Sequence, residues 1–226
     1  VVGVLVKICG LTRPEEVEWA QEAGADAVGF VFHPGSRRAV TVERARPLAQ
    51  QVSPGVLRVG VVVNPPLEEL FHLVEAVALD AVQWHGPCPE RVLVRLRQFR
   101  PDLRMVLATS VADGRHFQQA LGLAGLVDYL LLDTGAGWGG TGVPWDWSRA
   151  EGLVLPLPVV VAGGLTPENV GEVLERLRPA GVDVSSGVEV GGVKDRDRMR
   201  SFVQAVRQWE GRWGGGERSG SVPVAR

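Results

Sequence analysis

The sequence predicts a closed, parallel (β/α)8 TIM barrel, an α/β fold built as a single domain. Three observations carry that reading. Eight short runs rich in β-branched residues recur along 226 residues, nearly continuous in apolar character rather than alternating. Strands covered on both faces have that composition. Amphipathic helical patterns separate the runs, and the length suits one barrel with no internal linker.

In order, the strands are expected at 4–9, 27–32, 57–63, 81–84, 105–108, 129–132, 159–162 and 182–184. Thr12 to Glu15 fits a capping box, in which a hydroxyl and a carboxylate satisfy the open N–H groups of a first helical turn. Pro47 falls inside the helical stretch 45–52 and predicts a kink or a late start there. Leu67, Leu70, Phe71 and Val74 form one apolar stripe, as do Val170, Val173, Leu174 and Leu177. Met199, Phe202, Val203 and Val206 form a third. Thr166-Pro167 places proline where a helix would begin. An aspartate stands at the head of a strand four times, as Asp26, Asp80, Asp128 and Asp183. Intervals of roughly 50 residues, two β/α units each, suggest a repeat. The barrel domain is expected over 1–213, and the tail 214–226, with Gly, Ser, Pro and charge but no periodicity, is expected to be disordered.

The formal net charge is −2, so nothing steers the chain globally toward nucleic acid or a membrane surface. No apolar run reaches the ~18–20 residues that span a bilayer. The apolar start, VVGVLVKICG, lacks a basic leading region and reads as a strand rather than a signal. Cys9 and Cys88 do not make a secreted disulfide framework, and a reduced, cytoplasmic setting is expected. Lys7 and Lys194 are the only lysines among 24 basic residues.

In a barrel, chemistry sits where strands end and loops begin. Cys9 ends the first strand. A free cysteine is most often a small buried apolar group. At an active-site mouth near a helix start, however, a thiol gains thiolate character and can serve as base or nucleophile. Asp133 ends the run YLLLD, where an ionisable group is costly unless it is used or paired. Burial would keep it partly protonated, as a general acid requires. Arg37 and Arg38 lie on the loop after the second strand, where one could clamp a carboxylate bidentately. Gly163-Gly164 and Ser185-Ser186-Gly187 present backbone N–H groups after the last two strands, a common phosphate site in this fold. Gln83 and His85 lie near the floor, with a structural role the simpler reading. The histidines show no metal-ligand spacing, so no metal is expected.

Read together, KICGLT, GADAVGFVF followed by SRR, RVGVVVN, AVQWHG, LLDT, GGTG followed by DW, AGGLTPENV and DVSSGVE resemble the phosphoribosylanthranilate isomerase family, from about residue 4 to near residue 209. Trp84 stands where a smaller aliphatic residue is expected. The resemblance implies a cofactor-free Amadori rearrangement of an aminoaldose to an aminoketose in tryptophan biosynthesis. By the same resemblance Asp133 is the general acid that opens the ribose ring, and Cys9 is the general base that removes the C2 proton. Arg38 holds the anthranilate carboxylate, Gly163, Gly164, Ser185, Ser186 and Gly187 hold the phosphate, and Asp183 bonds a sugar hydroxyl. The implied partner is the small-molecule substrate alone, with no nucleic acid and no membrane, and the chain is expected as a monomer or homodimer. Other phosphate-binding barrels remain alternatives: one class uses two strand-end aspartates, but Cys9 holds the first position. Another needs a lysine acid, and Lys7 should face inward beside Cys9 but deeper. A phosphosugar sensor without catalysis would not require both an acid and a base.

Overall fold

Every expected strand forms, within one residue of its expected bounds at each end. A computed structural model describes residues 3–133 and 147–213. Its strands are β1 (Leu5–Cys9), β2 (Ala27–Val31), β3 (Leu57–Val63), β4 (Ala81–His85), β5 (Arg104–Thr109), β6 (Tyr129–Leu132), β7 (Val159–Val161) and β8 (Gly181–Val184). They pair in chain order, all parallel, and β8 returns to β1 to close the barrel. The tail 214–226 and the glycine-rich segment after Asp133 lie outside the described residues.

Alternation along each strand sorts the side chains into two layers. Val6, Ile8, Val28, Phe30, Val82, Trp84 and Val182 point outward and are buried under the helices. Trp84 therefore fills the strand–helix interface, where its indole N–H donates to the Pro87 carbonyl at 3.3 Å. Inside the barrel, Ala27, Val59 and Ala81 close the bottom with Leu5 and Leu57. Leu131, Val160 and Ala162 pack with Val106, Ala108 and Tyr129 on the opposite wall.

The helices are α1 (Pro14–Glu22), α2 (Val42–Gln50), α3 (Leu67–Ala76), α4 (Glu90–Phe99), α5 (Gly114–Gly122), α6 (Val170–Leu177) and α7 (Arg196–Trp213). The stripe Met199, Phe202, Val203 and Val206 on α7 is fully buried against α1 and α6. Each such side chain contributes roughly 1.5–3 kcal/mol.

Three local expectations are corrected. The cap of α1 is shifted by one residue: Glu16, not Glu15, reaches back to the backbone N–H of Thr12 at 2.7 Å and of Arg13 at 3.2 Å. Its carboxylate is buried, whereas Glu15 stands outside. Helix α2 starts early, at Val42, with the Thr41 hydroxyl accepting from Arg44 N–H, and runs through Pro47. The hydrogen bond that Pro47 cannot donate belongs to the carbonyl of Glu43, on the exposed face where water can serve it. Helix α6 starts at Val170, three residues after Pro167, because Thr166 and Asn169 first build a turn in which the Asn169 side chain accepts from Thr166 N–H at 2.8 Å.

The aspartate repeat is real, but it has three members. Asp26, Asp80 and Asp128 each stand one residue before an even strand. Each carboxylate accepts a backbone N–H from the strand before it: Val6 at 2.8 Å, Arg58 at 2.9 Å and Met105 at 2.7 Å. Each also pairs with an arginine, respectively Arg207, Arg58 and Arg97. At the fourth position stands Ala180, whose N–H makes the equivalent backbone bond to Val159. Asp183 lies three residues further on, inside the barrel, and does other work.

Candidate active site

Lys7 and Cys9 share the inward face of β1. Cys9 pairs in register with Gly29 of β2, and Lys7 with Asp183 of β8. The Lys7 ammonium donates to Asp183 Oδ2 at 2.8 Å and to Gln83 Oε1 at 2.9 Å, all three residues being buried. With its oxygen turned to Lys7, the Gln83 amide presents its nitrogen to His85 Nε2 at 2.8 Å. That nitrogen must then be the acceptor, which places the imidazole proton on Nδ1. Burial and the nearby Lys7 charge pull the His85 pKa down to about 4, so the ring is neutral near pH 7. One oxygen of Asp183, Oδ1, is buried without a partner.

Above this floor, Cys9, Arg38, Asp133, Gly163, Gly164, Asp183, Ser185 and Ser186 line one cavity of about 80 Å³, together with Gln83 and His85. A second cavity of about 270 Å³, between the ends of β4 to β6, shares His85 and Asp133 with it. Asp133 follows β6, half-buried, its N–H donating to the Thr109 carbonyl at 3.0 Å. The expectation that the site lowers the Cys9 pKa is corrected: burial pushes the thiol above its ordinary value, and Lys7 only partly opposes this. A buried thiolate loses more solvation than one neighbouring cation returns.

The loops around the cavity are tied together. Gly10 has φ +80°, and a side chain there would meet Arg38 Cδ at 2.4 Å, so the glycine of KICG lets the chain turn and lets Arg38 pass. Arg38 is not a free clamp. Its Nε and Nη2 donate to the two oxygens of Glu189 at 2.6 and 3.0 Å. Glu189 and Lys194 belong to a small hairpin, β9 (Glu189–Val190) and β10 (Val193–Lys194), after the short 3-10 helix Ser186–Val188. Lys194, buried, donates to Glu189 at 2.8 Å, to the Ser185 carbonyl at 2.9 Å and to the Ser185 hydroxyl at 3.2 Å. The Ser185 hydroxyl in turn donates to the Cys9 carbonyl at 3.0 Å. Gly163 and Gly164 take consecutive positive φ values of +83° and +69° after β7. At Gly187 a Cβ would come within 1.8 Å of the Leu165 carbonyl, so the missing side chain lets the loops after β7 and β8 touch.

Glu189 and Lys194 are the site residues that the sequence did not single out as such. Glu189 was visible only as the last letter of DVSSGVE, and Lys194 only as one of two lysines in an arginine-rich chain. Among the described residues, no cluster of three or more His, Cys, Asp or Glu side chains could hold a metal ion.

Comparison with known proteins agrees with this geometry. The family model for N-(5'-phosphoribosyl)anthranilate isomerase matches residues 6–205. An N-(5'-phosphoribosyl)anthranilate isomerase of Rhodopseudomonas palustris is 42% identical over 216 residues, covering 92% of this chain and 98% of its own. The crystal structure of the Thermotoga maritima isomerase superposes with a TM-score of 0.78 at 38% identity, over 91% of this chain and 99% of its own. A further solved phosphoribosylanthranilate isomerase, bound to reduced 1-(o-carboxyphenylamino)-1-deoxyribulose 5-phosphate, is 36% identical with a TM-score of 0.74, over 91% and 99% of the two chains. With a family model that matches residues 6–205, relatives about 40% identical over nine-tenths of the chain and a barrel that superposes on theirs, this chain belongs to the N-(5'-phosphoribosyl)anthranilate isomerase family.

Proposed function

We propose that this chain converts N-(5'-phosphoribosyl)anthranilate to 1-(2-carboxyphenylamino)-1-deoxyribulose 5-phosphate, the isomerisation of L-tryptophan biosynthesis, with Asp133 as general acid and Cys9 as general base. The observation that carries this reading is that Cys9, ending β1, and Asp133, directly after β6, line one cavity together with Arg38 and the loops after β7 and β8. Asp133 gives its proton to the ring oxygen as the C1–O bond breaks, leaving a protonated Schiff base. The Cys9 thiolate then takes the C2 proton. The C–H electron pair becomes the C1=C2 bond, the nitrogen is neutralised, and the enolamine tautomerises to the ketone.

The two ends of the substrate fix the reacting carbons between acid and base. Gly163, Gly164, Ser185 and Ser186 offer the phosphate backbone N–H groups, and Ser186 its hydroxyl, while Gly187 holds the two loops in contact. Arg38 keeps its Nη1 side for the anthranilate carboxylate while Glu189 occupies the Nε side, since a guanidinium can serve two carboxylates on two edges. The unpartnered Asp183 oxygen suits a sugar hydroxyl. Such anchoring can supply several kcal/mol of the barrier reduction. No helix among the described residues is long and apolar enough to cross a membrane, and we place the enzyme in the cytoplasm with its small-molecule substrate. One relative, from Thermotoga maritima, is a dimeric enzyme of which monomers have been made, and this chain is read as a monomer or homodimer.

The test is turnover of freshly prepared phosphoribosylanthranilate, followed by loss of its anthranilate fluorescence. Asp133→Asn keeps the shape and removes the transferable proton. It should slow turnover by at least ~10²-fold, the usual contribution of a positioned acid. Wild-type turnover by this variant would assign ring opening to another group.

A further inference from the structure

Lys7 is a buried cation on the same inward strand face as the base, and nothing in the acid–base pair accounts for it. Two of its three N–H bonds go to Asp183 and Gln83, and Cys9 stands two residues along on the same inward face of β1. The two side chains crowd one spot of β2. A Cβ on Gly29 would lie 2.7 Å from Cys9 Sγ and 3.0 Å from Lys7 Cε. No side chain on position 29 fits there without displacing one of them. The composition points the same way. Of 24 basic residues only Lys7 and Lys194 are lysines, and both are buried in this site, whereas the exposed basic positions carry arginine. A compact ammonium with three donors is kept where its geometry is needed.

We propose that Lys7 is a positioning residue for the proton transfer at C2: held by Asp183 and Gln83, its ammonium lies against Cys9 and stabilises the negative charge that the sulfur carries when it acts as base. The proposal rests on the assignment of Cys9 as that base. During the step, the proton moves from C2 to sulfur and the thiolate charge disappears as the substrate nitrogen is neutralised, so the Lys7–Asp183 pair keeps its charge throughout. Burial weakens the Lys7 ammonium, but Asp183 and Cys9 more than reverse this and hold it protonated. Cys9 also faces Asp183 from β8, which opposes its ionisation, and Lys194 from β10, which favours it. Among the described residues, the remaining ionisable groups that line the cavity are Asp133 after β6, Arg38 after β2 and His85, neutral, on β4.

The experiment measures alkylation of Cys9 by iodoacetamide against pH in a Cys88→Ala background, beside kcat and KM. Lys7→Met should raise the alkylation midpoint by about one pH unit, equivalent to ~10-fold lower reactivity below that midpoint. The same variant should lower kcat by about 10-fold near neutrality, with KM within about two-fold and the rate recovering as pH rises. Because Lys7→Met leaves the Asp183 charge unpaired, Lys7→Met/Asp183→Asn is compared with Asp183→Asn alone, and the double variant should again show the higher midpoint. If neither comparison moves the midpoint, Lys7 is only a scaffold and the proposal is overturned, whatever happens to kcat. Failure of the base assignment looks different: Cys9→Ala would then keep its turnover, while the alkylation profiles would still report whether Lys7 acts on the thiol.

Discussion

Glu189 holds Arg38 along the Nε–Nη2 edge of its guanidinium, at 2.6 and 3.0 Å, so the arginine proposed to bind the substrate carboxylate is set in place by a carboxylate of this chain. The hairpin after β8 thereby fixes the loop after β2, and Lys194 fixes the hairpin. Glu189 itself is held below its ordinary value: burial would raise it, but Arg38 and Lys194 more than offset that.

The two ends of the substrate should therefore respond differently to mutation. Arg38→Ala is expected to weaken anthranilate-bearing ligands by ~2–3 kcal/mol, the upper range for hydrogen bonds to charged groups. It should leave ribulose 5-phosphate binding nearly intact. Glu189→Gln should give a smaller loss in the same direction, because the charge of Arg38 survives but its anchor weakens. Gly164→Val, at φ +69°, should weaken both ligands by disturbing the phosphate loop. Titration with the reduced product analogue and with ribulose 5-phosphate separates these outcomes. Equal loss of ribulose 5-phosphate affinity in Arg38→Ala and Gly164→Val would reverse the assigned orientation of the substrate.

Cys9→Ala should abolish turnover while the far-ultraviolet circular dichroism stays native. Cys88→Ala should change turnover little, since burial pushes that thiol up to about 12 and it lies outside the cavity that holds Cys9 and Arg38. More than a tenth of wild-type turnover in Cys9→Ala would remove Cys9 from the mechanism. Because the Cys9 pKa is raised, the thiol is protonated at low pH and cannot accept the C2 proton. The dependence of kcat/KM on pH should accordingly rise through neutrality on its base-controlled limb.

His85 gives a signature in stability rather than rate. Its pKa falls from 6.5 when unfolded to about 4 in the barrel, so between those values the unfolded chain binds a proton that the native chain refuses. The neutral ring's contribution is complete above about pH 6.5 and is lost as the pH falls toward 4. Chemical denaturation of wild type and His85→Gln across this window should show the steeper acid loss in wild type. Parallel curves would mean that His85 titrates normally in the fold.

The three aspartates at the opposite end of the barrel should act on stability alone. Each accepts a backbone N–H from the preceding odd strand and pairs with an arginine. Asp128→Asn should cost about 1–2 kcal/mol in urea denaturation, as expected for one weakened charge-assisted bond at a half-exposed site. Its kcat should be unchanged, because the group lies far from the strand ends where the chemistry sits. A large fall in kcat at wild-type stability would contradict that separation.

Much of this was legible beforehand because the strands are bounded by composition and the barrel puts functional groups at strand ends. The inward direction of Lys7 followed from its two-residue spacing to Cys9. What the sequence hid was tertiary. Glu15 and Glu16 differ only in which one turns back on Thr12, and that depends on where the chain leaves β1. Asp183 looked like a fourth repeat because it shares a residue type with Asp26, Asp80 and Asp128, but the position matching theirs is Ala180. The thiol was expected to be acidified by its place at the mouth. The sign reversed because burial outweighs one neighbouring ammonium, and burial depends on residues scattered over eight strands.

The burial of both lysines, Lys7 inside the barrel and Lys194 beneath the hairpin after β8, gives the folded surface an unusual chemical character. It presents guanidinium groups but no ε-amine, so acylating reagents that modify lysine have no side-chain target while the barrel is closed. Lys7 becomes reachable only when β1 parts from its neighbours, and Lys194 only when the hairpin lifts from Ser185. Acylation at these two sites, resolved by mass, would time the opening of the barrel separately from the opening of its lip, without any label being added to the chain.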